Sequence, residues 1–338
     1  MNQDAFVKAI YQDIVSGVRH TKTTMERLAA TFGIDNKNLV KELTELSIVI
    51  LARELAHDKD ATLQERYQNI VSLYRTQVNL SQRTSNSILL QQYSTPAPIA
   101  FLAGMYVLEG MPEDYTVFEP SAGNGLLTIA FHPSRVVVNE VDDVRLNNLK
   151  AQPFLSTGRQ DATEAFTDYQ KKFHGVITNP PFGTLDKTVD YAGYPIKTLD
   201  HLMALRALDC MKDSGRAAII IGGHAAWDDK GRIQAGKNRV FFSYLYEHYH
   251  VDDVININGD LYSRQGTSFD VRLILINGRK RIPQGFAPLK ETSDRTVNDF
   301  EELQKRVMQF CSPDNDKRMR IAKAKARAMI KNLDLLTL

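Results

Sequence analysis

The spacing of apolar residues divides the chain into three stretches. Over residues 1–85 apolar positions step at helical intervals. Phe6, Ile10, Ile14 and Val18 form one stripe, and Leu39, Leu43, Leu46 and Ile50 form the next. Thr23-Thr24-Met25-Glu26 has the form of a capping box, and Gly33 is placed to end the helix it starts. The helix pair around Phe32-Gly33-Ile34 hints at a helix-turn-helix, but the simpler expectation is a small helical bundle beside a main domain.

From residue 86 to 280 the period changes. Short apolar runs predict strands at Thr116–Phe118, Val136–Val138, Gly175–Thr178, Ala217–Ile221, Val251–Ile257 and Val271–Ile276. Helical patterns lie between them, notably Leu199–Met211 and Arg239–Tyr249. Strands without a polar face belong in a mainly parallel sheet covered on both sides. The expected fold is therefore α/β, a doubly wound Rossmann-like sheet. Residues 281–338 open with Pro283, Gly285 and Pro288 and then turn helical. The expected organisation is a helical N-terminal domain (1–85), an α/β domain (86–280) and a short, basic, helical C-terminal extension (281–338).

Composition narrows the classes. The 338 residues are 43% hydrophobic and 24% charged, which excludes collagen-like, disordered and disulfide-scaffold chains. No apolar run approaches the roughly 20 residues that span a bilayer, so no membrane partner is expected. MNQDAFVKAIYQDI lacks the basic start and apolar stretch of a secretory signal. Cys210 and Cys311, the two cysteines, form neither a metal quartet nor a disulfide framework, and the eight scattered histidines offer no ligand set, so no metal is expected. This cysteine usage suits a reducing, cytoplasmic setting. A net charge of +2 allows a nucleic-acid partner only through a local basic face.

Four places carry chemistry. Phe118-Glu119-Pro120-Ser121-Ala122-Gly123-Asn124-Gly125 closes a strand with a small-residue loop, and Leu126-Leu127 reads as the start of a helix. Gly123 and Gly125 let backbone pass close to a ligand, and Glu119 can hold a cationic or hydroxylated group; packing alone also produces such turns. Glu140 follows the next strand, about 20 residues on from Glu119, where an acid can accept from both hydroxyls of a ribose, or be merely solvated. Gln160-Asp161-Ala162 closes the third strand; Asp161 can accept from an adenine amine or cap a helix. The most specific signal is Asn179-Pro180-Pro181-Phe182, directly after Gly175–Thr178. Two prolines make a rigid turn without backbone donors there. The Asn179 side-chain oxygen and the Pro180 carbonyl can converge on one amino group, and Phe182 offers a flat face for a ring.

Together these residues resemble the S-adenosylmethionine-dependent amino-methyltransferases, in particular the N6-adenine DNA methyltransferases. FEPSAGNG looks like their cofactor loop and NPPF like their catalytic tetrapeptide. Gln91-Gln92-Tyr93-Ser94-Thr95-Pro96 is similar to the Y-x-T-P segment that these enzymes set against the methionine end of the cofactor, and Tyr262–Ser268 to their late G-T-S hairpin. The resemblance covers residues 86–280, in the order termed gamma. It implies a cofactor site of Tyr93, Thr95, Pro96, Glu119, Ser121, Ala122, Gly123, Gly125, Glu140, Asp161, Ala162 and Asn179, and a catalytic set of Asn179, Pro180, Pro181 and Phe182. It implies methyl transfer to adenine N6 in DNA, with the base flipped out of the duplex, in a restriction-modification, phage or mobile-element context. A protein glutamine amide or an RNA adenine would suit the same acceptor pair, and a non-catalytic methyltransferase-like subunit is a third reading.

Recognition elements are sparse. Asp161 and Asn179 lie too close together for an inserted reading domain, and only residues 281–338 follow the α/β stretch. This arrangement is closer to modification subunits that take specificity from a partner. The tail Lys317–Lys331, with seven basic residues and no acid, suits phosphate contacts or a solvated helix. The loop His224–Arg239 suits a lid, and Gly183–Lys197, with Tyr191 and Tyr194, suits the entrance for a flipped nucleotide.

Overall fold

The computed structural model describes residues 2–80, 93–224, 226–290 and 295–311. Gln91, Gln92, Ala225 and the basic tail lie outside these residues. Four helices lead: α1 (Asn2–Val15), α2 (Lys22–Thr31), α3 (Lys37–Ala56) and α4 (Leu63–Thr76). The capping box of α2 sits at Thr21 and Thr24, two residues before the expected place, because Thr21 carries the extended backbone that a cap needs. Gly33, at φ +72°, lies just past α2 as expected.

A seven-stranded sheet follows, in the order β3-β2-β1-β4-β7-β9-β8. Its strands are β1 (Val117–Glu119), β2 (Val136–Asn139), β3 (Ser156–Gly158), β4 (Phe173–Thr178), β7 (Met211–Gly222), β8 (Tyr249–Ile257) and β9 (Val271–Arg279). The ladders from β3 to β7 are parallel, and β9 pairs antiparallel with both β7 and β8. Six strands thus share one direction and β9 opposes them. Helices cover both faces: α5 (Ala97–Leu108) and α6 (Asp143–Lys150) join α3 on one side, and α7 (Leu199–Asp209) and α8 (Lys237–His248) lie on the other. Alternation along β7 shows the two layers: Ala218 and Ile220 join the first core, while Ala217, Ile219 and Ile221 join the second. The doubly wound α/β expectation holds.

Two expectations change. No α-helix follows the FEPSAGNG loop. Gly125 turns left-handed at φ +92°, Leu126–Thr128 closes as a 3-10 turn, and Pro133 opens a second such turn. The space a helix would fill is taken by α5, which approaches so closely that a Cβ on Gly104 would lie 2.5 Å from the Ala130 Cβ. The stretch after NPPF is not an open loop but a hairpin, β5 (Thr184–Tyr191) and β6 (Tyr194–Thr198), turned at Ala192 and Gly193 with positive φ at both. The N-terminal helices and the sheet are buried together among the described residues. One hydrophobic cluster runs from Phe6 through α3, α4 and α5 to Cys311, and takes in α9 (Phe300–Met308). Among the described residues no helix is long and apolar enough to cross a membrane.

Candidate functional site

The chain leaves β1 towards β2 and β3 on one side, then returns to β4 on the other. That reversal opens a crevice at the carboxyl ends of β1 and β4, where ligands bind in open α/β sheets. FEPSAGNG and NPPF both start there. A cavity of about 560 Å³ occupies the place. The sequence-predicted residues Tyr93, Thr95, Ser121, Ala122, Gly123, Glu140, Asp161, Ala162, Asn179, Pro181 and Phe182 all line it. Pro96, Glu119, Gly125 and Pro180 are not among its lining residues.

Asn139 splices the loops that carry these groups. Its amide donates to the carbonyls of Pro120 (2.9 Å) and Gln160 (2.8 Å), and its Oδ1 accepts from the Gln160 N–H at 2.8 Å. The turns after β1, β2 and β3 thereby share one side chain. Glu140 accepts from the backbone of Gly123, Val141 and Asp142 at 2.8–2.9 Å, which pins its carboxylate at the cavity wall. Oε1 takes two of these bonds and Oε2 one, so acceptor capacity remains mainly on Oε2. Asp161 Oδ1 holds the backbone and hydroxyl of Thr163 at 2.9 and 2.8 Å, an Asx turn rather than a helix cap.

Glu119 stands behind the loop rather than in it. It is fully buried, and its Oε1 accepts from the Ser121 N–H and hydroxyl at 3.0 and 3.2 Å. Its Oε2 has no partner among the described residues, and burial pushes the carboxyl up to about 8. In this arrangement it shapes the loop through Ser121 rather than forming part of the cavity wall.

Asn179 is held by its own amide. Nδ2 donates to the Tyr93 carbonyl at 3.2 Å and to Thr95 Oγ1 at 3.0 Å, so the two acceptors set which end of the amide is nitrogen. The opposite atom, Oδ1, is buried without a donor among the described residues. A buried acceptor without a donor is costly, and a ligand N–H would relieve it. Phe182 sits beside it, seated on Gly222, where a Cβ would lie 3.0 Å from the ring.

Sequence reasoning missed the back of the site. Asn124 Nδ2 donates to Glu42 Oε2 at 2.7 Å and Glu45 Oε2 at 2.8 Å, both on α3. Arg145, which lines the cavity, binds Glu42 through Nε (2.9 Å) and Nη2 (3.3 Å). Burial works against the Glu42 charge, but Arg145 and Lys41 outweigh it and hold the carboxyl at about 2. No local pattern announces these partners, because Lys41-Glu42 and Glu45 read as a solvated helix face until the loop is folded against them. Tyr191 and Tyr194 turn away from the cavity. Tyr191 donates to Asp209 Oδ1 at 2.6 Å and Tyr194 to Glu247, so both anchor the hairpin to α7 and α8. Of the proposed lid, no described residue lines the cavity; Asp228 instead ties Arg232 and Arg239 together.

No family model matches the chain, and no curated protein matches it. Solved structures do. A protein of Listeria monocytogenes described as a class I S-adenosylmethionine-dependent methyltransferase aligns at 14% identity and TM-score 0.45, over 80% of this chain and 88% of that one. The type I restriction enzyme EcoKI M protein aligns at 17% identity and TM-score 0.44, over 85% of this chain and 63% of that one. The type IIG restriction endonuclease BpuSI aligns at 14% identity and TM-score 0.45, over 83% and 34%. The chain spans under two thirds of the M protein and about a third of the endonuclease.

Proposed function

We propose that the chain transfers a methyl group from S-adenosylmethionine to the exocyclic N6 amine of adenine in DNA. The observation that carries this reading is Asn179. It is an amide locked by Tyr93 and Thr95, with its oxygen lacking a donor among the described residues, beside an aromatic ring at the carboxyl end of the sheet's switch point. The cofactor fits the residues present. The cavity volume lies within the range of small-molecule sites, and Glu140 and Asp161 give acceptors for the ribose hydroxyls and the adenine amine. When bound, the cofactor supplies a methyl group already activated on a sulfonium.

The protein's part is then positioning. An adenine amine is a poor nucleophile because its lone pair is delocalised into the ring. Asn179 Oδ1, with the Pro180 carbonyl, would accept its two protons and favour a more tetrahedral nitrogen with the lone pair aimed at the methyl. Phe182, backed by Gly222, would stack on the base. A base inside a duplex cannot reach such a crevice, so the target is flipped out. Between β4 and β7 the chain builds only a hairpin and α7, which leaves little surface for reading bases, so a partner is proposed to supply sequence specificity. The motif resemblance supports nucleic acid over a protein amide.

Tritiated-methyl transfer to DNA, RNA and bulk protein, run side by side, tests this. Label in DNA, recovered as N6-methyladenine, is the expected result. Label confined to RNA or protein, or no transfer at all, would overturn it.

A further inference from the structure

A second cavity, of about 130 Å³, lies among the N-terminal helices and shares no lining residue with the first. Ile10 and Ile14 of α1, Met25 of α2, and Val18 and Val78 give it apolar walls. Gly17, at φ +80°, turns the chain after α1, and Val18 and Arg19 stand exposed at its mouth. Gln77, directly after α4, lines it from within. This residue is 3% exposed, and both its Oε1 and its Nε2 are buried without a partner among the described residues. The hydroxyl protons nearby are committed elsewhere: Thr44 donates to the Val40 carbonyl at 2.7 Å, and Thr76 to the Ser72 carbonyl at 2.9 Å. His20 is held between Asp13 at 2.9 Å and Thr24 at 3.4 Å.

We propose that this cavity binds a small planar molecule whose edge sets an N–H beside a C=O, a lactam or a primary carboxamide, read by the Gln77 amide. A side-chain amide presents a donor and an acceptor side by side, so it pairs with such an edge through two hydrogen bonds. Exchanging the two ends of the amide swaps the roles and leaves the complementary edge the same. A buried amide with both ends unpaired is costly, and one ligand edge relieves both at once. The apolar walls suit the faces of a ring. The volume sets the size: at roughly 30 Å³ per water it equals about four waters, so a single ring fits and a nucleoside does not. Water is the poorer occupant, since it takes about three hydrogen bonds and most of this wall is apolar. The proposal is independent of the methyl-transfer reading.

Nuclear magnetic resonance on the full chain tests this, with 2-pyridone as the probe and the Met25 methyl, assigned through Met25→Leu, as the reporter. 2-Pyridone carries the lactam edge, and N-methyl-2-pyridone has the same ring without the N–H. The first should shift the Met25 methyl saturably and bind roughly tenfold more tightly than the second. Pyridine, smaller than either and also without an N–H, should bind as weakly as the N-methyl form. Gln77→Met keeps the length and removes both polar ends. It should fold at least as stably as the parent and lose the preference for 2-pyridone. No saturable shift in the parent would overturn the site and leave water as the amide's partner. Equal binding of 2-pyridone and pyridine by the parent would also overturn it, whether or not Gln77→Met folds. A preference that persists in a folded Gln77→Met would do the same, because Gln77 would not then be the reader.

Discussion

Both amide protons of Asn179 are committed to Tyr93 and Thr95, so the carbonyl oxygen is the part left to act. Asn179→Ala should slow methyl transfer by ~10²-fold or more while S-adenosylhomocysteine affinity stays near that of the parent. Phe182→Ala should act likewise by loosening the base; parental rates in a radiometric assay would remove both assignments. Glu119 tests the loop differently. Its folded value of about 8 lies above the ordinary 4.5, so its contribution to stability is fully present below about pH 4.5 and lost as pH rises towards 8. Glu119→Gln cannot titrate. Relative to the parent, the variant should gain stability steadily from pH 5 to pH 8, read as urea midpoints. Parallel profiles would mean that Glu119 is already ionised in the folded protein.

Among the elements, α3 stands out. Its apolar stripe was legible in the sequence as a helix, but neither its Asn36 cap nor its inward acids were. Asn124, 1% exposed, links those acids to the loop after β1 and also accepts from Asn148 at 2.8 Å. Asn124→Ala should cost about 2–3 kcal/mol, since two buried carboxylates lose a donor. Chemical denaturation measures this, and a loss near zero would show that water replaces the amide. Of the six strand ranges read from the sequence, five were legible to within about three residues of their ends, because such apolar runs are buried on both faces and have no helical alternative of that length. By contrast, β7 starts six residues earlier, at Met211, and β3, β5 and β6 had no range. NPPF stood out because two prolines after a strand have few uses, and Asn179, Pro181 and Phe182 of it line the cavity. The absent helix after Gly125 was not. Leu126-Leu127 has helical composition, and only the closeness of α5 and the stop at Pro133 decide against it. Tyr191 and Tyr194 misled for a related reason: polar tips do not reveal that Asp209 and Glu247 wait on the core side.

At the scale of the molecule, residues 2–80 share a core with the sheet and with α9. A chain starting at residue 93 should therefore show no cooperative thermal transition, whereas the parent should show one; an intact transition in the truncated chain would establish a separable domain. Deleting Lys317–Leu338 should lower DNA affinity and flatten its salt dependence while sparing cofactor binding, and unchanged affinity would remove the tail from the proposed DNA contacts. The contact between α4 and α9 has a further consequence. Tyr67 donates to the Phe300 carbonyl at 2.8 Å across a sequence separation of 233, and Gln304 meets Gln64 across 240. At roughly 5–20 residues per second of ribosomal elongation, α4 emerges some ~10–50 s before the helix that covers it. Throughout that interval the part of α4 that meets Phe300, around Tyr67 and Tyr74, is open to other nascent chains and to chaperones. Production of this protein should respond to translation speed and chaperone supply more than a chain of local contacts would.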